Sequence, residues 1–247
     1  MCTFPSNKIF KSTVRIDRSK GWGLSFLISL FFSQALAAKA TVQPLKDIVC
    51  LDQVTKALDA AGTPKEWLRF PGGVASRIPD YGSIEVYPEK TKTRFVLVGP
   101  KSTTGFMLET PKCEAKILFT KPNRPSLRDI DVAELLHKNK NGGLIYVWSP
   151  HMELSVGEVA SLKDYGVKYP VTVAVDAEAD SELLKKIVTD KKLPAEYAQA
   201  ANSSVLFAAD IGIHYPSTVF YKYGRIVMRI PGYHGSGLKE IAQKVLK

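Results

Sequence analysis

Cysteine is scarce in this 247-residue chain, and its three copies, Cys2, Cys50 and Cys113, stand far apart. That spacing excludes a C-x-x-C dithiol. Long apolar runs are missing too. The stretch from Trp22 to Phe32 is broken by Gly23, Ser25 and Ser29 and is too short for a comfortable transmembrane helix. Histidine is limited to four residues, and none has a spacing diagnostic of a metal site. The chain carries a net charge of +10, yet it has no dense basic run interleaved with aromatics of the kind that reads nucleic acid. A solvated basic surface with weak attraction to anionic envelope surfaces fits the charge better. At 45% hydrophobic and 23% charged, the composition is that of a globular protein.

What is present begins with a leader. Lys8, Lys11, Arg15, Arg18 and Lys20 stand against Asp17, the apolar run follows, and Ser33-Gln34-Ala35-Leu36-Ala37-Ala38 ends it with a small-x-small pattern. This is the layout of a secretory signal, predicted to be cut near Ala37, with an uncleaved anchor as the alternative. Residues 1–37 hold five basic residues and one acidic residue, so their removal lowers the net charge from +10 to +6. The expected location is periplasmic or secreted, with no membrane span after cleavage. Cys2 leaves with the leader. Cys50 and Cys113 then form an even pair in an oxidising compartment, which reads as a structural disulfide. Two unrelated buried thiols are the alternative.

Residues 38–122 read as a small α+β domain. Ile48, Leu51, Val54 and Leu58 recur at helical spacing between Asp47 and Gly62. Thr63-Pro64-Lys65-Glu66 has the form of a capping box that opens a short helical turn with Trp67 and Leu68. Strands are expected at 83–87, 93–98, 104–109 and 113–119, with Cys113, Ala115, Ile117 and Phe119 on one face of the last. The segment shows no catalytic motif, and no cofactor is expected. Lys121-Pro122-Asn123-Arg124-Pro125 is a basic, proline-rich connector. After a helix from Asp129 to His137, the pattern alternates: strand 144–147, helix 153–166, strand 171–175, helix 181–189, a further helix within 194–210, strands 217–221 and 225–230 joined at Tyr223-Gly224, and helix 237–246. That order implies a central sheet covered by helices, with a right-handed crossover between its first two strands.

Three local features then carry a resemblance. The strand 144–147 runs into Trp148-Ser149-Pro150-His151-Met152 and directly towards a helix. His214-Tyr215-Pro216-Ser217-Thr218 leads into a strand. Tyr223-Gly224-Arg225-Ile226 is followed by Pro231-Gly232-Tyr233. Together they resemble the thioredoxin superfamily over about residues 128–247, with 190–209 as an insertion. The resemblance implies an α/β fold in which a thioredoxin-like C-terminal domain, a mixed sheet flanked by helices, follows the α+β domain. It places Ser149 and Met152 where the family has its two active-site cysteines, and Pro216 in the family's cis-proline loop. Thiol exchange needs a thiolate with a depressed pKa and a second thiol to resolve the mixed disulfide. Serine and methionine supply neither, so the expectation is that the chain is not an enzyme. Ser149 instead suits a helix cap with Pro150 at the first helical position.

Three readings follow. The first is a binding or scaffold module that takes a protein or peptide partner of the cell envelope beside Tyr215 and Pro216, with Trp148, Met152 and Tyr233 as apolar neighbours. The second is a member of a thiol–disulfide pathway acting through Cys50 and Cys113. The third is a metal-binding accessory protein using His151, His214 and His234 with Glu153 or Asp176. A Ser149–His151 nucleophile pair is disfavoured, because residues two apart near a helix start do not face one another.

Overall fold

The computed structural model describes residues 48–247 apart from positions 65, 80 and 209–213. The leader, Asp47 and parts of the 63–66 and 194–210 segments therefore lie outside the described residues. Helix α1 (Leu51–Ala61) buries Val54, Leu58 and Ala61 on one side. It stops at Gly62, whose N–H returns to the Leu58 carbonyl. The expected helical turn at Trp67 and Leu68 is not formed. Leu68 instead opens β1 (Leu68–Phe70), which pairs with β2 (Gly73–Ile78). The tight return between them depends on Gly73, where a Cβ would stand 2.3 Å from the Val86 carbonyl oxygen.

The meander continues through β3 (Gly82–Pro88), β4 (Lys92–Val98), β5 (Ser102–Glu109) and β6 (Glu114–Pro122), giving an antiparallel sheet in the order β1-β2-β3-β4-β5-β6. Val74, Ile78, Ile84, Val86, Phe95 and Leu108 pack with α1 in one core. Strand β6 departs from the expected one-faced alternation, for it is exposed along its whole length. A register shift opposite Gly105 and Phe106 leaves Leu118 as an extra residue between the paired Ile117 and Phe119.

The second sheet starts with β7 (Ser126–Arg128), then α2 (Asp129–Lys138), β8 (Gly143–Trp148), α3 (Glu153–Ser161), β9 (Val171–Val175), α4 (Ser181–Asp190), β10 (Ala200–Asn202), α5 (Ser204–Phe207), β11 (Ser217–Lys222), β12 (Arg225–Pro231) and α6 (Leu238–Leu246). Its strand order is β12-β11-β8-β9-β10-β7. The pairs β8/β9, β9/β10 and β10/β7 are parallel; β11 runs antiparallel to β8, and β12 to β11. Within it, β8-α3-β9-α4-β11-β12-α6 with the core order β12-β11-β8-β9 is the thioredoxin-like fold. The region expected to hold one helix between 194 and 210 instead holds a 3-10 turn at Ala195–Ala198, the short β10 and the four-residue α5.

Alternation along β8 divides the core. Ile145 and Val147 face one side, where they meet α2 residues Ile130, Val132, Ala133 and Leu136. Leu144, Tyr146 and Trp148 face the other, against Val156 and Val159 of α3 and Leu238, Ala242 and Leu246 of α6. Leu68, Phe70 and Ala75 of the first sheet belong to the α2-side core. The Lys121–Pro125 connector thus separates two sheets that share buried surface. Among the described residues, no helix is long and apolar enough to cross a membrane.

Candidate functional site

Strand β8 is buried at every position, so its polar backbone is satisfied by the neighbouring strands and its end is fixed in space. Trp148, at that end, is fully buried, and its Nε1 donates to the Tyr197 carbonyl at 2.9 Å. It is therefore core and offers no face to a partner. Residues 149–152 form a β-turn in which Met152 N–H donates to the Ser149 carbonyl at 3.3 Å, with Pro150 in the second position, where its fixed φ is favoured.

Ser149 is not the helix cap expected of it. Helix α3 starts one turn later, at Glu153, with Met152 before it and no side-chain cap. Ser149 is 2% exposed. Its hydroxyl accepts from His151 N–H at 3.4 Å and donates to Asp176 Oδ2 at 3.3 Å, while Ser149 N–H donates to Ser155 Oγ at 3.0 Å. The His151 backbone, not its ring, meets the serine. The ring belongs to an exposed residue, so no nucleophile–base pair forms.

Asp176, just past the end of β9, is the residue that joins the site. Its N–H donates to the Trp148 carbonyl at 2.7 Å. Its Oδ1 accepts from Tyr215 OH at 3.2 Å and from Glu178 N–H at 3.0 Å. One carboxylate therefore ties the β8–α3 turn to the loop entering β11, where the Tyr215–Pro216 peptide bond is cis. Burial, and then the Asp176 charge, push the Tyr215 phenol well above its ordinary pKa. Sequence reasoning considered Asp176 only as a metal ligand; its place at the end of the strand beside β8 was the available signal for its bridging role. Among the described residues, the backbone N–H and C=O of Tyr215 make no backbone hydrogen bond, whereas Pro216 C=O accepts from Gly232 N–H at 2.7 Å.

Beneath the turn lies Glu158, fully buried on α3. Its Oε2 accepts from Tyr146 OH at 2.6 Å, and its Oε1 accepts from His234 N–H at 2.9 Å and Gly235 N–H at 2.7 Å. Burial, then the hydrogen bond and charge of Glu158, raise the Tyr146 pKa strongly. This anchors the loop after β12 to α3 and holds Tyr233, 53% exposed, at the surface. Met152 and Leu154 are also exposed, at 45% and 65%. His151, His214 and His234 do not assemble: among the described residues no group of three or more His, Cys, Asp or Glu could hold a metal ion.

Cys50 and Cys113 are joined in a disulfide with a Cα–Cα distance of 5.5 Å. It links the residue before α1 to the turn between β5 and β6.

No protein-family model and no curated protein matches the chain. Among solved structures, the chain is similar to a secreted Mycobacterium tuberculosis disulfide oxidoreductase homologous to E. coli DsbE, with 18% identity over 44% of this chain and 83% of that one and a TM-score of 0.31. It is also similar to M. tuberculosis DsbF in its mixed oxidised and reduced forms, with 20% identity over 44% of this chain and 82% of that one and a TM-score of 0.33. One expectation is corrected. The missing C-x-x-C was read as meaning that the chain is not an enzyme, but the similar structures are of the disulfide oxidoreductase kind and this chain holds a disulfide of its own between Cys50 and Cys113. The lack of thiols at one turn says nothing about chemistry elsewhere in the molecule, and the exclusion of catalysis is withdrawn.

Proposed function

We propose that this is an exported thioredoxin-fold protein that holds an extended polypeptide segment of a cell-envelope partner beside Tyr215. Ser149 and Met152 stand at the positions where the fold elsewhere carries its cysteines, so this turn serves docking rather than thiol exchange. The observation that carries the reading is the backbone of Tyr215. Its N–H and C=O make no backbone hydrogen bond among the described residues, which suits strand-like pairing, and the Ser149–Asp176–Tyr215 bridge holds them beside the β8–α3 turn. Met152 and Tyr233 are the exposed apolar side chains suited to grip alternate residues of such a segment. Trp148, buried, contributes to the shape of the site only.

The test is the affinity of the purified protein for an unfolded model polypeptide, measured by calorimetry. Tyr233→Ala combined with Met152→Ala should weaken binding at least about tenfold, the equivalent of about 1.4 kcal/mol. Equal affinity of the variant and the parent would sink the reading.

The disulfide favours a second reading, thiol–disulfide exchange through Cys50 and Cys113, both of which are half-buried rather than sealed in the core. Insulin reduction by the parent that disappears in Cys50→Ser would support it; equal rates in the two would end it.

A further inference from the structure

The joint between the two sheets contains two buried carboxyl groups and too few protons. Glu85 on β3 is 4% exposed, and Asp129 at the start of α2 is fully buried. Both lie against the same hydroxyl, that of Tyr87: Glu85 Oε2 at 2.9 Å and Asp129 Oδ2 at 2.7 Å. A tyrosine hydroxyl has one hydrogen to donate and can otherwise only accept. It can satisfy one carboxylate by donating; the second must bring its own proton.

The hydrogen bonds around each group identify that carboxyl. Asp129 Oδ1 accepts from Val205 N–H at 3.1 Å and from Ser203 Oγ. The Ser203 oxygen is itself an acceptor for Leu206 N–H, which leaves its hydrogen directed at Asp129. Asp129 Oδ2 takes the Ser204 hydroxyl and Tyr87 OH. Four donors converge on Asp129, filling the acceptor capacity of an ionised carboxylate. Among the described residues, Glu85 has one fixed donor, Ile130 N–H at 3.2 Å.

We propose that Glu85 is a neutral carboxylic acid, donating to Tyr87, which donates to an ionised Asp129, and that this single proton closes the joint between β3 of the first sheet and α2 and α5 of the second. Loss of the proton leaves two carboxylates facing one hydroxyl in a buried setting, which drives the joint apart. Burial and the neighbouring Asp129 push the Glu85 carboxyl above its ordinary range, in the same direction as the proton count.

The groups facing Glu85 are few. From β7 comes Arg128, whose charge favours ionisation, but its guanidinium is engaged by Ser83 Oγ and by Asp131 at 3.4 Å. From β4 comes Arg94, 5.7 Å from the Tyr87 ring centroid. Around α2, Asp131 and Glu134 are taken up by Arg77 of β2. Helix α5 presents no titratable side chain. No described histidine hydrogen-bonds within the network, so the switch responds to one carboxyl alone.

The sign follows from linkage. Native Glu85 holds its proton more tightly than the unfolded chain does. The stabilisation is therefore complete below the ordinary glutamate value and is lost as pH rises through the raised native value. Between those limits the unfolding constant of the parent should grow by up to tenfold per pH unit relative to Glu85→Gln. That variant can donate to Tyr87 and accept from Ile130 N–H without titrating.

The experiment is urea unfolding of the purified chain and of Glu85→Gln across this pH range, with infrared spectroscopy of the parent at about pH 6, where an ordinary glutamate is ionised. The expected result is a diverging pair of stability curves and a carbonyl band of protonated carboxylic acid. Isotope labelling of glutamate carboxyls should move that band, and labelling of aspartate should not. Parallel curves, absence of the band, or a band that moves with aspartate labelling overturns the proposal. The infrared measurement needs no variant, so absence of the band overturns the proposal even where Glu85→Gln does not fold.

Discussion

Replacing Cys50 and Cys113 by alanine tests how the first sheet keeps its helix. The bond closes a loop with a sequence separation of 63 residues. On the chain-entropy treatment, a loop of that length restricts the unfolded ensemble by about 4 kcal/mol, an amount that is model-dependent. Against about 5–15 kcal/mol for the total stability of a protein of ordinary size, that is a large share. The bond has a local consequence as well. Helix α1 precedes the meander in sequence and contributes Val54, Leu58 and Ala61 to a core otherwise made by β2 to β5. The disulfide fastens its first turn, and the Thr93 hydroxyl donates to the Val49 carbonyl beside it at 2.6 Å. The assay is urea unfolding of the oxidised parent and the double variant, read by two probes, with hydrogen exchange at Val54 and Leu58 followed in parallel. The expectation is a midpoint lowered by an amount equivalent to about 4 kcal/mol with a similar slope, and protection lost first in α1. A loss below about 1 kcal/mol at unchanged slope, well under what loop closure supplies, would refute the argument.

Further perturbations follow from the same contacts. Glu158→Ala strands three buried donors, Tyr146 OH, His234 N–H and Gly235 N–H. At about 1–3 kcal/mol for each unsatisfied group, it should cost about 3 kcal/mol or more in denaturant unfolding. Tyr146→Phe, which leaves two of the three contacts in place, should cost about half as much or less. Asp176→Asn removes the charge beside Tyr215 and should bring the Tyr215 phenol down towards the ordinary value of about 10, followed by ultraviolet or NMR titration. Because native Tyr215 holds its proton more tightly than the unfolded chain, the parent should lose stability as pH climbs above the ordinary tyrosine value, and Asp176→Asn should lose less. Gly73→Ala drives a methyl against the Val86 carbonyl oxygen and should destabilise by about 1–3 kcal/mol or more, with the β1–β2 return displaced in hydrogen exchange.

The second sheet was readable in the residues where burial is symmetric. Leu144–Val147 is apolar throughout because both faces are covered, Val171–Val175 departs from this only at Thr172, and the turn at Tyr223-Gly224 marks its hairpin plainly. What escaped was structure without such marks. Strands β7 and β10 have three residues each, and β10 is built on Ala200 and Ala201, which carry no β-forming preference. They exist because they pair with each other and because β10 meets β9. Strand β2 is also short of pattern: Gly73, Val74, Ala75 and Ser76 are all buried, since α1 covers one face and α2 the other. At the site, Trp148 ends β8 and Pro216 follows a cis peptide bond before β11, positions that order and spacing mark. The role of Ser149 could not be read in that way, because its hydrogen-bond partner Asp176 lies 27 positions away, just past the end of another strand. The Glu85–Tyr87–Asp129 contact was invisible for the same reason: Asp129 lies 42 residues from Tyr87, and all three are ordinary polar residues until folding brings them together.

Strand β6 has a consequence for handling the molecule. Its outer side, among the described residues, pairs with nothing, and Ile117, Leu118 and Phe119 stand at the surface, 61%, 45% and 37% exposed. Such a rim is a template on which a foreign strand can assemble, and a folded protein must carry its own deterrent. Here the deterrent is written into the strand: Lys116 and Lys121 bracket the apolar triplet, the surplus residue at Leu118 breaks the repeat, and Pro122 removes a donor at the far end. Colloidal behaviour should then depend on those two lysines more than on the net charge of the chain: neutralising both should raise light scattering while circular dichroism stays that of the folded parent.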